Sequence, residues 1–490
     1  MSEPYDLIVV GGGVNGAGVA RDAAGRGAKV LLLEARDLAS GTSSASTKLV
    51  HGGLRYLEYR EFGLVREALA ERERLWRIAP HIVRPMRFVL PVVPGMRPRW
   101  MLRAGLALYD LLALSGSLPG TRGVRLAAHP AGAPLASGPV HALEYSDCWV
   151  DDARLVVLNA LDAAERGAEV RTGTPVTAAR REGGLWRVET PAGPFMARAL
   201  VNAAGPAAAQ FSQIAGETPP YRIRAVRGSH IVVSKLCDHG FAYIFQLPDT
   251  RICFALPWEE DFTLIGTTDA DHDGPLDRVT ASEGEIEYLC AAASRYFARG
   301  VTPADVVHTY AGVRALVDDG SGRPEAATRG YRLPLSPEGE GAPLLGIYGG
   351  KITSYRHVAE EAVSKLARRV PVLSGPAWTA REPLPGGDFP REAQAELIAS
   401  LQRDYAFLSE RDARRIGRAY GTRATRWLGS AKAWDSLGRA FGAGLSEAEV
   451  DYLRREEWGR TAEDVLWRRT KLGLHMGAGE QAALAGYLGS

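Results

Sequence analysis

Apolar and polar residues alternate along the chain with two different periods, and each period predicts a different kind of secondary structure. Near the N-terminus, residues 7–10 and 29–34 are mostly apolar runs, separated by a glycine-rich turn at 11–16 and by small helix-forming residues at 17–25. Apolar runs of this length are typical of parallel strands that are buried on both faces. The beginning of the chain therefore predicts a strand–turn–helix–strand unit.

A helical period marks several later segments. A helix is predicted over 63–78, where apolar residues recur every three or four positions and charged residues lie on the opposite side. Asp151 and Asp152 predict the start of a second helix that reaches residue 164, because aspartate is a preferred N-terminal capping residue. Residues 351–369 predict a third helix, and the chain beyond residue 390 is predicted to be helical.

Short β-rich runs occupy the middle of the chain. They lie at 169–171, 176–180, 186–189, 200–203, 230–233, 243–247, 252–256, 262–267 and 344–350. The spacing of the runs between 230 and 267 predicts an antiparallel sheet, unlike the first segment. The predicted fold class is α/β, with a Rossmann-like domain interleaved with a largely antiparallel β domain and followed by a C-terminal helical domain.

Composition narrows the class of protein. The chain has 490 residues, of which 46% are hydrophobic and 24% charged, as in folded proteins of several structural units. A net charge of +2 gives no general attraction to nucleic acid. The four cysteines lack paired spacing, so we predict neither a metal site nor a disulfide framework. Free cysteines of this kind predict a reducing compartment. No uncharged apolar run reaches the roughly 20 residues of a membrane-spanning helix.

The glycine-rich turn carries the first chemical signal. Gly11, Gly13 and Gly16 follow the first predicted strand with the spacing GxGxxG, in which the first allows a tight turn, the second lets a pyrophosphate approach and the third permits helix–strand packing. Glu34 ends the second strand, where a carboxylate can accept hydrogen bonds from ribose hydroxyls and repel a 2′-phosphate. The motif predicts a dinucleotide but leaves NAD and FAD open.

The end of the run at 200–203 bears on that choice. It is followed by Ala204 and Gly205, and small residues there let a long cofactor such as FAD lie close to the backbone. An ordinary exit from a strand into a loop has the same composition, so this feature alone decides nothing.

Longer motifs resemble one family. They are GGGVNGAG at 11–18, SGTSSAST at 40–47, KLVHGGLRYLE at 48–58, YSDCWVDDARLV at 145–156, RGSHIVV at 227–233, IGTTD at 265–269, YAGVRALVDD at 310–319, GGKITSYR at 349–356 and EDVLWRRTKLGLHM at 463–476. The chain closely resembles the FAD-dependent respiratory sn-glycerol-3-phosphate dehydrogenases, which belong to the D-amino-acid-oxidase-like flavoproteins. Ala315 and Ser354 depart from the family pattern but leave its charged and hydrogen-bonding groups intact.

The resemblance implies FAD as cofactor, bound by a two-dinucleotide-binding domain. The residues implied around it are Gly11, Gly13, Asn15, Gly16, Glu34, Thr42, Ser43, Ser44, Ser46, Thr47, Lys48, His51, Gly53, Val176, Ala204, Gly205, Lys351, Ile352 and Thr353. The hydroxyls between 40 and 48 suit a pyrophosphate and ribityl chain. The helix start after Gly350 could direct its N–H groups toward the flavin.

The implied reaction is oxidation of sn-glycerol 3-phosphate to dihydroxyacetone phosphate, with a hydride passing from C2 to flavin N5. The residues implied for the substrate are Arg55, Tyr56, Arg314, Arg329 and Lys351, and Arg314 and His51 are also implied in catalysis. Guanidinium groups suit a phosphate dianion because they can bind it bidentately. His51 is either the base that accepts the hydroxyl proton, since histidine titrates near neutral pH, or a hydrogen-bonding partner of flavin or backbone.

The sequence leaves open which molecule accepts the electrons of the reduced flavin. Family members pass electrons to membrane quinone, whereas an α-glycerophosphate oxidase would use oxygen, and a non-catalytic flavin-binding scaffold would do neither. Arg97, Arg99, Trp100 and Arg103 precede an apolar run at 106–114, which predicts either an interfacial membrane segment or a core helix with solvated charges. The resemblance favours a cytoplasmic protein that is peripheral on the inner face of the cell membrane, and a homodimer.

The predicted domain boundaries follow from the alternation along the chain between segments typical of parallel strands and segments typical of antiparallel strands. We predict an FAD-binding domain at 1–84, 151–218 and 336–370, a substrate domain at 85–150 and 219–335, a linker at 371–390 and a helical domain at 391–490.

Overall fold

The computed structural model of the chain describes residues 3–113, 116–318 and 330–489. The helices are α1 (Val14–Gly25), α2 (Phe62–Ile78), α3 (Arg99–Ala113), α4 (Asp152–Glu165), α5 (Ala208–Ile214), α6 (Glu283–Ser294), α7 (Tyr355–Leu366), α8 (Gln394–Asp404), α9 (Glu410–Tyr420), α10 (Thr425–Leu428), α11 (Glu447–Glu457) and α12 (Ala478–Gly489). In the described part of the chain, no helix is both long enough and apolar enough to cross a membrane.

The described strands form two large sheets and two short two-stranded pairs. They are β1 (Tyr5–Val10), β2 (Val30–Leu33), β3 (Leu49–Val50), β4 (Val83–Pro91), β5 (Arg122–Arg125), β6 (His141–Val150), β7 (Glu169–Arg171), β8 (Ala178–Glu182), β9 (Leu185–Thr190), β10 (Gly193–Asn202), β11 (Ile223–Ser234), β12 (Ala242–Gln246), β13 (Ile252–Trp258), β14 (Phe262–Gly266), β15 (Ala270–Asp271), β16 (Val306–Val317), β17 (Tyr331–Arg332), β18 (Leu344–Gly346), β19 (Tyr348–Gly349), β20 (Ala440–Gly442) and β21 (Leu445–Ser446).

The first sheet places the glycine-rich turn at the carboxyl ends of parallel strands. Its order is β7-β2-β1-β10-β9-β8, with β18 also paired to β10, and β7, β2, β1, β10 and β18 run parallel. In β1, Leu7 and Val9 face a core built with α1, α4 and α7, while Ile8 and Val10 face a second core on the other side. Burial on both faces explains the uninterrupted apolar run. Ligands of such sheets bind outside the carboxyl ends of the strands.

The second sheet is largely antiparallel and covers that edge. Its order is β15-β11-β14-β13-β12-β4-β6-β3, and β16 pairs with β11 and β5 with β6. Among the described strands of this sheet, only the β12–β4 pair is parallel. The two sheets are joined where the 3₁₀ turn at Thr42–Ser44 packs on β16. There Thr42 Oγ1 donates a hydrogen bond to the Val313 carbonyl at 2.6 Å.

The C-terminal domain has its own core, built mainly from α8 to α12. The segment predicted as a linker, 371–390, packs against the first domain. Trp378 lies 4.0 Å from the Arg166 guanidinium, and Leu373 and Leu384 are buried in the core of the parallel sheet. This segment is therefore packed on the first domain and does not extend freely between two domains. The boundaries themselves remain predictions.

The predicted α/β fold class is confirmed, and three details of the predictions were wrong. The strand predicted at 344–350 is two short strands, β18 and β19, which belong to different sheets. The helix predicted over 351–369 is shorter, because residues 352–354 form a 3₁₀ turn before α7 begins at Tyr355. The region beyond 390 is not helical throughout, since β20 and β21 form a short hairpin. Gly442 and Gly444 turn that hairpin with φ of +119° and +74°, a conformation that favours glycine over other residues.

Candidate active site

A cavity of about 320 Å³ lies between the carboxyl edge of the parallel sheet and the antiparallel sheet. Cavities that hold small molecules are commonly this size or larger. Its lining brings together fifteen of the residues predicted for cofactor and substrate: Gly13, Asn15, Thr42, Ser43, Ser46, Thr47, His51, Gly53, Arg55, Tyr56, Gly205, Arg314, Lys351, Ile352 and Thr353. Residues from six separate stretches of the chain therefore meet at one place.

The glycine-rich turn is as tight as its motif predicts. Gly11 has φ of +111°, and a Cβ there would lie 2.4 Å from the Ala203 carbonyl oxygen. A Cβ on Gly16 would lie 1.9 Å from the Gly11 carbonyl oxygen. A Cβ on Gly13 would instead point toward the cavity side, with Ser43 Oγ at 3.2 Å as its nearest neighbour. Gly11 and Gly16 thus allow the turn to pack tightly, whereas Gly13 keeps the start of α1 open to the cavity.

The loop from 40 to 48 lies against this turn. Ser43 Oγ accepts a hydrogen bond from the Val14 N–H at 3.0 Å, so it covers one N–H at the start of α1. Ser46 Oγ donates to Asp152 Oδ2 at 2.7 Å. These contacts fix a hydroxyl-rich strip along the cavity wall, next to the positive end of the helix dipole.

Seven predicted cofactor residues are not in the cavity lining. They are Gly11, Gly16, Glu34, Ser44, Lys48, Val176 and Ala204. Lys48 Nζ lies 2.8 Å from Asp152 Oδ1 and is almost fully buried. Burial lowers its pKa, and the Asp152 carboxylate opposes that effect. Arg329, predicted for the substrate, lies outside the described residues.

Glu34 holds the turn from the second strand. Its Oε2 accepts a hydrogen bond from the Gly12 N–H at 2.6 Å, and its Oε1 accepts one from the Arg36 N–H at 2.8 Å. The carboxylate therefore lies beside the glycine-rich turn, where the motif predicts a ribose. Each of its oxygens has a second lone pair with which it can accept a hydrogen bond from a ribose hydroxyl.

Arg314 projects from β16 into the cavity and is held on three sides. Its Nη2 donates to Thr267 Oγ1 at 2.9 Å, and its Nη1 donates to the Thr268 carbonyl at 3.2 Å and to Asp269 Oδ1. A Cβ on Gly228 of the neighbouring strand would lie 2.4 Å from Arg314 Nη2, so glycine is needed for the guanidinium to occupy this position. A fixed guanidinium of this kind is preorganised to bind an anion.

Two further cations line the same cavity. Arg55 lies in a 3₁₀ turn that follows Gly53, and Lys351 lies at the start of the turn that leads into α7. The Lys351 ammonium lies 3.5 Å from the centre of the Tyr56 ring, a cation–π contact. Gly53 has φ of +78°, and a Cβ on it would lie 2.1 Å from the Tyr56 ring. The Gly-Gly turn therefore allows the Tyr56–Lys351 pair to form.

His51 lies directly before that turn, and its surroundings are fixed by hydrogen bonds to the backbone. The His51 N–H donates to Thr353 Oγ1 at 3.3 Å. The Gly52 N–H donates to the Tyr109 hydroxyl at 2.8 Å, and that hydroxyl donates to Asp147 at 2.8 Å. His51, which the sequence predicts either as base or as a hydrogen-bonding partner, therefore lies on a backbone segment that is held from both sides.

The sequence predictions missed a second histidine. His230 on β11 is 1% exposed, lines the cavity and shares a hydrogen bond of 2.9 Å between its Nε2 and Thr47 Oγ1. Burial, followed by the charge of Arg314, lowers its pKa well below the ordinary 6.5, so the ring is neutral. Its Nδ1 has no hydrogen-bond partner among the residues that the structure describes. The RGSHIVV motif contained this residue, but only the sheet pairing places it beside Thr47.

Comparisons with known proteins agree with this geometry. Residues 6–339 match the family model described as FAD dependent oxidoreductase, and residues 377–486 match the C-terminal domain of alpha-glycerophosphate oxidase. The chain belongs to the FAD-dependent oxidoreductases. FAD is its cofactor, as the sequence predicted.

Relatives extend the match over the full length. A glycerol-3-phosphate dehydrogenase from Pseudomonas aeruginosa is 50% identical, covering 100% of this chain and 96% of that protein. A D-erythritol 1-phosphate dehydrogenase from Brucella abortus is also 50% identical, covering 99% of this chain and 98% of that protein. The crystal structure of a glycerol-3-phosphate dehydrogenase from Bacillus halodurans complexed with FAD is similar in fold, with a TM-score of 0.75 at 24% identity, covering 100% of this chain and 94% of that one.

The residues present fit FAD. Asn15 Oδ1 is buried beside the start of α1 and has no hydrogen-bond partner within the described ranges, so it offers an acceptor to a bound molecule. The glycine-rich turn would hold the pyrophosphate, Glu34 the adenosine ribose, and the strip from Thr42 to Thr47 the ribityl chain. The 3₁₀ turn Ile352–Ser354 presents backbone to the cavity at its other end.

Other lining residues also escaped the sequence predictions. Thr267 and Asp269 hold Arg314, and Phe254 packs edge-on against the His51 ring at 6.4 Å between centroids. The first two belong to the IGTTD motif, which carried the resemblance but gave no indication of which of its side chains faces the cavity. Phe254 carries no signal in the sequence beyond its place in an apolar strand.

Proposed function

We propose that the chain oxidises sn-glycerol 3-phosphate to dihydroxyacetone phosphate. The observation that carries the proposal is that Arg55, Arg314 and Lys351 line one cavity together with the glycine-rich turn and His51. Several cations in one FAD cavity suit a small phosphate dianion better than they suit the zwitterion of an amino acid. The similarity to full-length glycerol-3-phosphate dehydrogenases supports the same conclusion.

Each side chain has a distinct part in the proposed reaction. Arg314 binds the phosphate with the guanidinium N–H groups that do not donate to Thr267, Thr268 or Asp269. His51 accepts the proton of the C2 hydroxyl as the C2–H bond breaks. FAD, when bound, supplies the hydride acceptor. The ammonium of Lys351 then stabilises negative charge that develops at this end of the cavity.

A second substrate is supported by a specific observation. The D-erythritol 1-phosphate dehydrogenase from Brucella abortus is as similar to this chain as the glycerol-3-phosphate dehydrogenase. The two substrates share a phosphate and a secondary alcohol, and the erythritol compound has one more hydroxymethylene group. The cations that bind phosphate do not separate them, so the two must be compared directly.

Anaerobic flavin bleaching tests the substrate. The purified holoprotein is expected to lose its oxidised flavin absorbance when sn-glycerol 3-phosphate is added, and to retain it with glycerol, because only the phosphate engages the cations. D-erythritol 1-phosphate is titrated in parallel. The preferred substrate is the one with the larger ratio of bleaching rate constant to dissociation constant. Flavin that stays oxidised with both phosphates would contradict the proposed function and would make the non-catalytic scaffold the better interpretation.

We also propose membrane quinone as the electron acceptor, with oxygen as the alternative. After anaerobic reduction, a quinone analogue is expected to reoxidise the flavin faster than air does. Rapid reoxidation by air with formation of peroxide would instead favour the oxidase.

The surface of α3 supports attachment to a membrane. Only Leu106 and Tyr109 of this helix are buried, whereas Trp100 is 72% and Leu111 is 69% exposed. Trp100, Ala104, Ala107 and Leu111 recur with helical spacing, and the exposed Arg99 and Arg103 lie on the same helix. Apolar side chains with nearby cations are typical of helices that lie in the interface of anionic membranes. These exposures favour the interfacial interpretation of the segment over a core helix.

Changing Trp100 and Leu111 to glutamate is expected to release the protein from vesicles of phosphatidylcholine and phosphatidylglycerol. The partition coefficient should fall by about 10²-fold or more, because each large apolar side chain removed from water contributes about 1.5–3 kcal/mol. Cosedimentation measures the effect. Val307→Glu is the matched control, since Val307 is 53% exposed and lies on β16, at the other end of the antiparallel sheet from the strands that contact α3. Equal binding by the double variant and the control would contradict the assignment of α3.

We propose the cytoplasmic face of the cell membrane as the location of the protein. The homodimer remains a prediction of the family resemblance.

A further inference from the structure

One stretch of the C-terminal domain reaches the elements that surround the FAD site. The C-terminal clamp is defined here as Trp467, Arg468, Arg469 and Lys471. The first three belong to the π-helical turn Asp464–Arg469, in which the Thr470 N–H donates to the Val465 carbonyl at 2.9 Å. Lys471 follows with φ of +62°. π-helical turns are rare in proteins, and those that occur are often found at functional sites.

The first target of the clamp is Asp37, in the segment that closes the glycine-rich turn. Asp37 lies between Glu34, whose carboxylate binds the Gly12 N–H, and Ala39, whose N–H donates to the Gly12 carbonyl at 3.0 Å. Asp37 is itself 7% exposed. A shift of Asp37 would therefore move backbone that is hydrogen-bonded to both sides of Gly12.

Two arginines of the clamp neutralise that carboxylate. Arg469 donates from Nη1 to Asp37 Oδ2 at 2.9 Å and from Nη2 to Asp37 Oδ1 at 2.8 Å, and Arg468 Nε donates to Asp37 Oδ2 at 2.6 Å. Arg469 is fully buried and also donates to the Glu457 carbonyl from Nε at 3.1 Å. Removing one partner from a buried ion pair is costly, because the remaining charge stays out of water without compensation.

The second target is Asp151, which caps α4. Lys471 Nζ lies 2.7 Å from Asp151 Oδ1, and the next residue, Asp152, accepts hydrogen bonds from Ser46. Burial alone would raise the pKa of Asp151, but the Lys471 ammonium and the hydrogen bonds of the cap hold it below its ordinary value. Ser46 lines the cavity, so Lys471 is linked to the hydroxyl-rich strip through two adjacent aspartates.

The third target is β16. The Trp467 indole stacks on the His308 ring at 4.0 Å between centroids, with the ring planes 8° apart. β16 also carries Gly312 and Arg314, both in the cavity lining. Four neighbouring side chains of one domain therefore contact three segments that adjoin the cavity: the loop after β2, the start of α4, and β16.

We propose that the C-terminal clamp positions the loops that hold FAD, so that docking of the C-terminal domain sets how tightly the cofactor is retained. Its side chains are positioning residues, because none of them lines the cavity. Without the clamp, the segment 34–40 and the loop 40–48 would have to be ordered by FAD itself, and that entropic cost would weaken binding. The inference rests on the cofactor and does not depend on which polyol phosphate is oxidised.

The dissociation constant for FAD tests the inference in the full-length protein. Arg469→Met is expected to raise it by about tenfold or more, a loss of about 1.4 kcal/mol in binding free energy. Deflavinated protein is titrated with FAD, and the flavin fluorescence is followed. At saturating FAD, the visible spectrum of the bound flavin and kcat should return close to those of the unaltered protein, because the clamp acts on the loops and not on the reacting atoms.

Arg415→Met is the matched control. Arg415 donates to both oxygens of Glu449 at 2.6 and 2.8 Å, and both residues belong to the C-terminal domain. This variant is expected to lower the unfolding temperature while the dissociation constant for FAD stays within about twofold, since no loop around FAD loses a contact. Proportional losses of stability and FAD affinity in both variants would overturn the proposal, as would an unchanged affinity in Arg469→Met.

Lys471→Met decides the matter if Arg469→Met fails to fold. It removes one contact from Asp151, which still accepts a hydrogen bond from the Arg154 N–H at 3.1 Å, so the cap of α4 survives. A raised dissociation constant for FAD with an unchanged unfolding temperature of the deflavinated protein supports the clamp. An unchanged dissociation constant contradicts it.

Discussion

Replacing Arg314 by methionine is expected to lower kcat/KM for sn-glycerol 3-phosphate by about 10³-fold, because each charged hydrogen bond to the phosphate contributes about 1.5–3 kcal/mol and two are lost. FAD should remain bound, since Arg314 comes from the antiparallel sheet and the glycine-rich turn is untouched. Steady-state kinetics with a quinone analogue measure the effect, and the flavin absorbance of the purified variant verifies the cofactor content.

Two further variants separate phosphate binding from structural damage. Arg314→Lys keeps a positive charge beside Asp269 but cannot form the forked contacts, so we expect an intermediate loss, expressed mainly in KM. Arg224→Met is the matched control, because Arg224 lies on the neighbouring strand β11, pairs with Asp271 and is not part of the cavity lining. If Arg314→Met and Arg224→Met have the same kcat/KM, Arg314 does not bind the substrate.

The second large effect is expected at the glycine-rich turn. Gly13→Ala should raise the dissociation constant for FAD by about 10²-fold, equivalent to about 2.7 kcal/mol, while the fold is retained. The reason is that a methyl group at this position points toward the cavity, where Ser43 Oγ is its nearest neighbour at 3.2 Å. Deflavination followed by titration with FAD gives the constant, and circular dichroism checks the fold.

Gly16→Ala is expected to behave differently. Its Cβ would lie 1.9 Å from the Gly11 carbonyl oxygen, so the variant should lose more than about 4 kcal/mol of stability or fail to fold. Gly284→Ala serves as the control, because a Cβ at that helical position has no atom within 4 Å apart from its chain neighbours and the backbone of its own helix. If Gly13→Ala binds FAD as tightly as Gly284→Ala does, the pyrophosphate does not approach this turn.

The sequence was most informative where function depends on the backbone. The order Gly11, Gly13, Gly16 and Glu34 predicted a turn whose tightness the structure confirms, because a missing Cβ has its effect within a few residues of its position. The same holds for Asp151, which caps α4 as predicted, since a cap acts on the N–H groups three residues away. Such interactions are local, so a single amino-acid sequence is enough to predict them.

Lys48 illustrates where local inference ends. The family resemblance implied contact with the cofactor, and no sequence pattern indicated an acidic partner 104 residues further on. The structure places the Lys48 ammonium beside Asp152, whose carboxylate also accepts a hydrogen bond from Ser46 of the strip. Whether it also affects FAD remains a prediction.

By itself, the sequence determined the parallel unit, the glycine-rich turn, the antiparallel character of the middle region and, through its motifs, FAD. The cations that the resemblance implies for the substrate remain predictions. Only the tertiary structure decided that His230 stands beside Thr47, that Thr267 and Asp269 orient Arg314, and that Arg469 pairs with Asp37. The physical reason is distance along the chain. Backbone conformation and burial patterns are encoded over a few residues, whereas these contacts join segments that only the pairing of sheets and the docking of the C-terminal domain bring together.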